Sequence, residues 1–228
     1  MKIMIIGNGA REHALAWKLG ESPKVDELYA APGNAGTASI AHNLDVPATD
    51  IEALARAATQ HGIDLTVVGP EAPLASGIVD LFQSLHLPIF GPTRAATQIE
   101  SSKVFSKELM QKYGIPCAQG MVFSSYSQAR DYIQSKPIPL VIKADGLAAG
   151  KGVVVATSRE QALESLSDFM ERKTLGAASD KVIIEECLNG REVSLLAFTD
   201  GKNVRSMVPA CDYKRVFDSD QGPNTGGM

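Results

Sequence analysis

Short apolar, largely β-branched runs alternate with stretches in which apolar positions recur every three to four residues. Ile3-Met4-Ile5-Ile6 is the kind of continuous apolar run found in a parallel strand covered on both faces. Gly7-Asn8-Gly9 then turns into a predicted helix carrying Leu15 and Leu19. Val25 to Tyr29 reads as a second strand that ends in the loop Ala31-Pro32-Gly33-Asn34-Ala35-Gly36-Thr37, and Leu44-Asp45-Val46 as a weak third. Asp50 is placed to cap a helix in which Ile51, Leu54, Ala55 and Ala58 share a face and Gly62 supplies the stop. Leu65-Thr66-Val67-Val68, a helix with Ile78, Leu81, Phe82 and Leu85, and Ile89-Phe90 complete the series. Strands alternating with helices predict a doubly wound parallel α/β sheet. Its ligands would lie at the carboxyl ends of the strands, where the loops are Gly7-Asn8-Gly9, Pro32-Gly33-Asn34 and Gly69-Pro70-Glu71.

The pattern changes after about residue 100. Ser101 or Ser102 can cap a helix with Lys103, Phe105, Leu109 and Tyr113, stopped by Gly114 and Pro116. A strand at Met121-Val122-Phe123 follows, then a helix with Ala129, Tyr132 and Ile133, and then Val141 to Val155. That stretch is two β-branched runs around a loop with three glycines. Ser158 with Gln161 reads as a capping box opening a helix through Met170, and Lys181 to Glu185 as a strand. These elements predict a small α+β lobe. Glu192 to Thr199 alternates as a strand, Asp200-Gly201 signals a hairpin turn, and Val204 to Val208 returns. The tail is polar and glycine-rich.

Composition narrows the function classes. The 228 residues are 44% hydrophobic and 21% charged, as in ordinary soluble domains. A net charge of −4 and a pI near 5.6 argue against general nucleic-acid or membrane-surface binding. Three cysteines without C-x-x-C spacing and four histidines without H-E-x-x-H suggest neither a disulfide framework nor a zinc site. No apolar run resembles a signal peptide or membrane span, so a cytoplasmic protein is expected.

The Gly146–Gly152 hairpin, with Lys143 and Lys151 at its shoulders, combines bare backbone N–H groups with positive charge, which suits a polyphosphate. It is not a P-loop, since Gly152 follows Lys151 where a hydroxyl is needed and a strand follows where a helix should. An ordinary glycine-rich turn is the competing reading. Near Glu185-Glu186-Cys187-Leu188 and Glu192, backbone groups could face an adenine edge and a carboxylate the ribose hydroxyls, unless these acids are simply solvated. A dinucleotide fold fails on detail: Glu12 occupies the third fingerprint glycine position, and Ala30-Ala31 leave no acid for a ribose.

Five segments in order resemble the ATP-grasp ligases, and within them the glycinamide ribonucleotide synthetase family: Ile6 to Ala14, Ala31 to Thr37, Val68 to Leu74, Lys143 to Gly152, and Gly222-Pro223-Asn224-Thr225-Gly226-Gly227-Met228. The resemblance implies a pre-ATP-grasp domain over 1–100, a linker helix and lid lobe over 101–190, and the start of an incomplete second ATP-grasp lobe over 191–228. It implies ATP contacts from Lys103, Lys143, Asp145, Gly146, Gly150, Lys151 and Gly152, with Glu185, Glu186, Cys187 and Leu188 at adenine and Glu192 at ribose. It also implies a phosphoribosylamine and glycine side formed by Gly7, Asn8, Gly9, Gly33, Asn34, Gly69, Pro70, Glu71, Asp212, Lys214, Pro223, Asn224 and Thr225. In such enzymes ATP phosphorylates the glycine carboxylate and the amine of 5-phosphoribosylamine attacks the acyl phosphate, in purine biosynthesis.

Two departures qualify the resemblance. Cys211 stands where a glutamine is expected before the Asp-x-Lys-Arg run. The family's Mg2+ (or Mn2+) ligands fall beyond residue 228, so no metal ligand is named here and the chain is expected to be an N-terminal portion, inactive alone. The partners implied are small molecules, with neither nucleic acid nor membrane, and a monomer or weak dimer is expected. Another ATP-grasp carboxylate–amine ligase, and a non-catalytic nucleotide-binding fragment, remain the alternatives.

Overall fold

The computed structural model describes residues 1–147, 152–211, 215–218 and 221–224. The chain divides into two compact units, Met1–Cys117 with Asp145–Leu147, and Ala118–Ala144 with Ala148–Met228.

In the first unit the elements run β1 (Lys2–Gly7), α1 (Ala10–Gly20), β2 (Glu27–Pro32), β3 (His42–Asn43), α2 (Ile51–His61), β4 (Leu65–Val68), α3 (Glu71–Ser76), α4 (Ile78–Ser84), β5 (Ile89–Phe90), α5 (Arg94–Ser101) and α6 (Lys103–Lys112). The five strands form one parallel sheet in the order β3-β2-β1-β4-β5. Central β1 explains its unbroken apolar run, because successive side chains enter opposite cores. Met4 and Ile6 pack with Tyr29, Leu54, Ile78 and Phe82, whereas Ile3 and Ile5 pack with Ala16, Leu28 and Val67. This is the doubly wound arrangement predicted.

Local signals acted where their geometry was complete. Asp50 accepts the Ala53 N–H at 2.9 Å, and Gly62 ends α2 with a positive φ. Other expectations shift. Leu15 is exposed, and α1 turns Glu12 and Ala16 inward instead. The second strand starts at Glu27 rather than Val25. The third is His42–Asn43, while Leu44 and Val46 pack against the core beside it. The predicted helix around Ile78 is preceded by α3, the two separated by Gly77 at φ 91°, and α5 precedes the expected α6.

In the second unit come β6 (Gly120–Phe123), α7 (Tyr126–Ser135), β7 (Leu140–Ala144), β8 (Val153–Ala156), α8 (Arg159–Met170) and β9 (Val182–Glu186). The four strands make an antiparallel sheet in the order β6-β9-β7-β8. The period-2 alternation of strands sorts its side chains. Leu140, Ile142, Ala144, Val182 and Ile184 face α7 and α8, where Ile133, Leu166 and Phe169 close the core. Val141, Lys143, Val155, Ile183 and Glu185 fall on the other face. Ser158 accepts the Gln161 N–H at 3.2 Å, and the Gln161 side chain reaches back to the Thr157 N–H at 2.9 Å, one residue before the predicted cap.

Beyond β9 lie two hairpins, β10 (Ala197–Thr199) with β11 (Val204–Ser206) and β12 (Arg215–Phe217) with β13 (Gln221–Asn224). The strand expected from Glu192 forms only over Ala197–Thr199, with one isolated bridge from Ser194 to Ala210. Among the described residues, no helix is long and apolar enough to cross a membrane.

Candidate functional site

In the first unit the loops after β1, β2 and β4 meet at the carboxyl edge of the sheet. Asn34 joins the first two. Its Oδ1 accepts the N–H groups of Gly36 and Thr37 at 2.8 and 2.9 Å. Its Nδ2 donates to the carbonyls of Asn8 and Gly9 at 3.0 and 3.1 Å. A carboxamide has two donors and two acceptor lone pairs, so these four bonds use its whole capacity. Asn34 therefore fixes the loop geometry through its side chain. Thr37, fully buried, accepts the Asn34 N–H at 2.7 Å and contacts Asn43 Oδ1 at 2.8 Å.

Glu12, on the first turn of α1, closes the same edge. Its Oε2 accepts the Gly9 N–H at 2.6 Å, half of a capping box that Gly9 has no side chain to reciprocate. Gly7 and Gly69 also lie against its side chain. Arg11 and Glu71 approach to 3.9 Å at the exposed rim. Pro70 caps α3 and Glu71 starts it, which places that carboxylate favourably at a helix N-terminus. Gly33, with φ 72°, packs so closely on Asn43 and Thr37 that a Cβ there would stand 2.4 Å from Asn43 Oδ1.

A second cluster of the first unit surrounds the start of α6. Ser102 Oγ accepts the Phe105 N–H at 3.0 Å and donates to Asp145 Oδ1 at 3.0 Å. Asp145 Oδ1 also accepts the Val104 N–H at 3.1 Å, so the carboxylate is a second cap on the helix. Lys103 Nζ donates to the Gly146 carbonyl at 2.7 Å. Lys103, Asp145 and Gly146, three of the residues expected at ATP, are thus brought together. Ser102, expected only as a helix cap, is what ties Asp145 to them.

In the second unit Lys143 forms an ion pair with Glu185. Register places Val141 opposite Glu185 and Ile183 opposite Lys143, so the pair is a diagonal one on the sheet face turned away from the helices. Glu185 is buried and Lys143 half-buried. Glu186 points elsewhere: its Oε1 accepts the Gln119 N–H at 2.7 Å, and its own N–H donates to the Gln119 carbonyl at 2.9 Å. Cys187 is half-buried and Leu188 exposed after the strand. The Glu192 carbonyl accepts from Cys211 Sγ at 3.3 Å. Gly152 is described, and its carbonyl accepts the Ala144 N–H at 2.8 Å, closing the base of the hairpin. Gly150, Lys151, Asp212, Lys214 and Thr225 lie outside the described residues, as do the side chains of Pro223 and Asn224.

Among the described residues, no group of three His, Cys, Asp or Glu side chains could hold a metal ion.

Comparison with known proteins places both halves. Residues 1–100 match the phosphoribosylglycinamide synthetase N domain, and residues 101–228 the ATP-grasp (A) domain of the same synthetase. The chain is 54% identical to a phosphoribosylamine–glycine ligase of Ralstonia nicotianae and 51% identical to one of Nostoc sp.. Each alignment covers 100% of this chain and 54% of the relative, so the chain spans about half the length of the curated relatives it matches. A crystal structure of phosphoribosylamine–glycine ligase from Thermotoga maritima superposes with a TM-score of 0.83 at 34% identity, over 100% of this chain and 54% of that one. The biotin carboxylase domain of Hydrogenobacter thermophilus 2-oxoglutarate carboxylase, solved with MgADP, gives 0.72 at 15% identity over 91% of this chain and 49% of that one, a likeness of fold alone.

Proposed function

Since this chain belongs to the phosphoribosylglycinamide synthetase family, we propose that it forms part of an ATP-dependent phosphoribosylamine–glycine ligase. The match of residues 1–100 and 101–228 to two domains of the same synthetase is the observation that carries this reading. The reaction proposed is carbon–nitrogen ligation in purine biosynthesis, in the cytoplasm. A glycine carboxylate oxygen attacks the γ-phosphorus of ATP and ADP leaves. The phosphoribosylamine nitrogen then attacks the acyl carbon, losing a proton as phosphate departs.

The chain's own residues contribute positioning and charge rather than a covalent intermediate. In the second unit we assign Lys143 to a phosphate, Glu185 to Leu188 to adenine and Glu192 to ribose, with the buried Glu185 side chain also orienting the Lys143 ammonium. In the first unit we assign Lys103 to a phosphate and Asp145-Gly146 to the root of the lid, which continues through Gly150, Lys151 and Gly152. Gly7, Asn8, Gly9, Gly33, Gly69, Pro70 and Glu71 form the proposed substrate loops, with Asn34 holding two of them in register. Asp212, Lys214, Pro223, Asn224 and Thr225 are proposed on the same substrate side. Magnesium, when bound, would neutralise phosphate charge.

Thermal unfolding with and without ADP tests the nucleotide site, because a ligand that binds only the folded chain raises its apparent stability. The parent should show an ADP-dependent rise in Tm that shrinks in Lys143→Ala. An undiminished shift in a folded Lys143→Ala variant removes the assigned role.

A further inference from the structure

We propose that Arg11 is a specificity-determining residue of the first unit: its guanidinium gives up Glu71 to hold the phosphate of the sugar substrate, at the mouth of the crevice between β1 and β4. The inference deepens the reading of these loops as the phosphoribosylamine side and rests on it.

The sheet order β3-β2-β1-β4-β5 changes direction between β1 and β4. In a doubly wound sheet the ligand crevice opens at that point, beyond the carboxyl ends of the two strands. Helix α1 brings Arg11 and Glu12 to it, and the turn after β4 brings Gly69 and Glu71. Arg11 Nη2 and Glu71 Oε2 stand 3.9 Å apart, and Glu12 Oε1 lies against Gly69.

The backbone donors that glycine loops ordinarily offer an anion are largely engaged here. The N–H of Gly9 goes to Glu12 Oε2, that of Gly33 to the Gly7 carbonyl and that of Gly69 to the Ile6 carbonyl, at 2.6, 3.1 and 3.0 Å. Those of Asn34, Gly36 and Thr37 are taken by Thr37 Oγ1 and Asn34 Oδ1. The loops therefore shape the crevice, and the charge that meets a phosphate comes from a side chain.

Arg11 supplies it. The Glu71 contact is longer than a hydrogen bond, and among the described residues the guanidinium donates none. An exposed ion pair of this length is weak. A phosphate can displace the carboxylate and take the planar fork in two parallel bonds. His13 is no equivalent: two positions on, it faces another side of α1, where its ring packs on Gly36.

The acceptors suit the rest of such a ligand. Glu71, released from Arg11, meets the amine or hydroxyl hydrogens of the sugar. Glu12 Oε1 is buried without a donor, and a hydroxyl entering beside Gly69 would supply one. One cation and two acceptors fit an amino sugar phosphate better than inorganic phosphate, which would leave both carboxylates facing its charge.

Residue-resolved NMR of this chain, titrated separately with ribose 5-phosphate and with ribose, tests the proposal in the parent and in Arg11→Gln. In the parent, ribose 5-phosphate should shift the amides of Gly69, Glu71 and residues 9–12 saturably and move the Arg11 Nε–H resonance. Arg11→Gln should weaken ribose 5-phosphate at least about tenfold and leave ribose binding unchanged, which a merely structural role would not do. Loop shifts with a silent Arg11 Nε–H, an undiminished affinity in Arg11→Gln, or an equal loss for both sugars overturns the proposal and leaves the loop reading intact. Ribose 5-phosphate that moves none of these amides overturns the loop reading, and the proposal with it. If Arg11→Gln does not fold, the Arg11 Nε–H resonance of the parent decides: movement upholds the proposal, and silence sinks it.

Discussion

Ser102 and Asp145, 43 positions apart in sequence, share a hydrogen bond of 3.0 Å at the start of α6. The helix therefore begins with two capping oxygens, one local and one from a distant segment. Asp145→Ala should lower stability by about 1–2 kcal/mol, because the Val104 N–H and the Ser102 hydroxyl lose their acceptor while the Ser102 cap on Phe105 survives. Urea unfolding of the variant beside the parent measures the difference. A midpoint equal to the parent's would contradict the capping role.

Asn34 holds its loops through four bonds, and deleting them should be felt more. Asn34→Ala is expected to cost roughly 2–3 kcal/mol. Asn34→Asp should be at least as damaging, since it turns an oxygen toward the carbonyls of Asn8 and Gly9 where a donor stood. Chemical denaturation ranks the two. Asn34→Asp proving milder than Asn34→Ala would show that the donor end matters little.

Gly120 faces Glu185 across the β6–β9 ladder, and a Cβ there would sit 2.4 Å from the Ile184 carbonyl. Backbone cannot give way as a side chain does. Gly120→Ala should therefore destabilise the second unit by about 3 kcal/mol, seen as faster amide exchange along β6 and β9.

For Lys143 and Glu185 the expected quantity is a coupling. Lys143→Met keeps the stem and removes the charge beside a buried carboxylate. A loss of roughly 1–3 kcal/mol is expected, below the figure for a wholly buried pair because the Lys143 side chain is 32% exposed. Adding Glu185→Gln should recover part of it, and additive losses in the double-mutant cycle would mean the two do not interact.

Asp200 supplies a pH signature for the β10–β11 turn. The Asn203 N–H, then its side-chain amide and the Lys202 N–H, hold its carboxyl at about 2, below the ordinary 3.8. A folded pKa lowered in this way gives stability that is fully present above 3.8 and lost as pH falls through about 2. The Lys202 and Asn203 amide resonances should titrate with a midpoint near 2. A midpoint at or above 3.8 would show that the turn bonds are not made in solution.

What could be read from the chain depended on whether a segment carried its own explanation. Helix α2 has an aspartate cap, four apolar residues on one face and a terminal glycine, and it formed where predicted. Central β1 announced itself through burial on both faces. At six and eight residues α3 and α5 span only about two turns, too short for a repeat to stand out in sequence, and β3 is fixed by pairing with β2 rather than by its own His42 and Asn43. Among site residues, the sequence showed that Lys143 and Glu185 had the right chemistry, but their diagonal contact depends on strand register. Glu12 was visible as a broken fingerprint. Its burial against Gly69, more than fifty residues away, required the fold.

The caps on α6 have a consequence for how the chain is made. Because Asp145–Leu147 cluster with Met1–Cys117, the first unit is not finished when its last helix leaves the ribosome. A growing chain halted shortly after Cys117 would carry α6 with only its serine in place, and the aspartate would arrive after β6, α7 and β7 had been synthesised. Final locking of the earlier unit is thus expected to wait on translation well into the later one, so that completion of the first overlaps synthesis of the second.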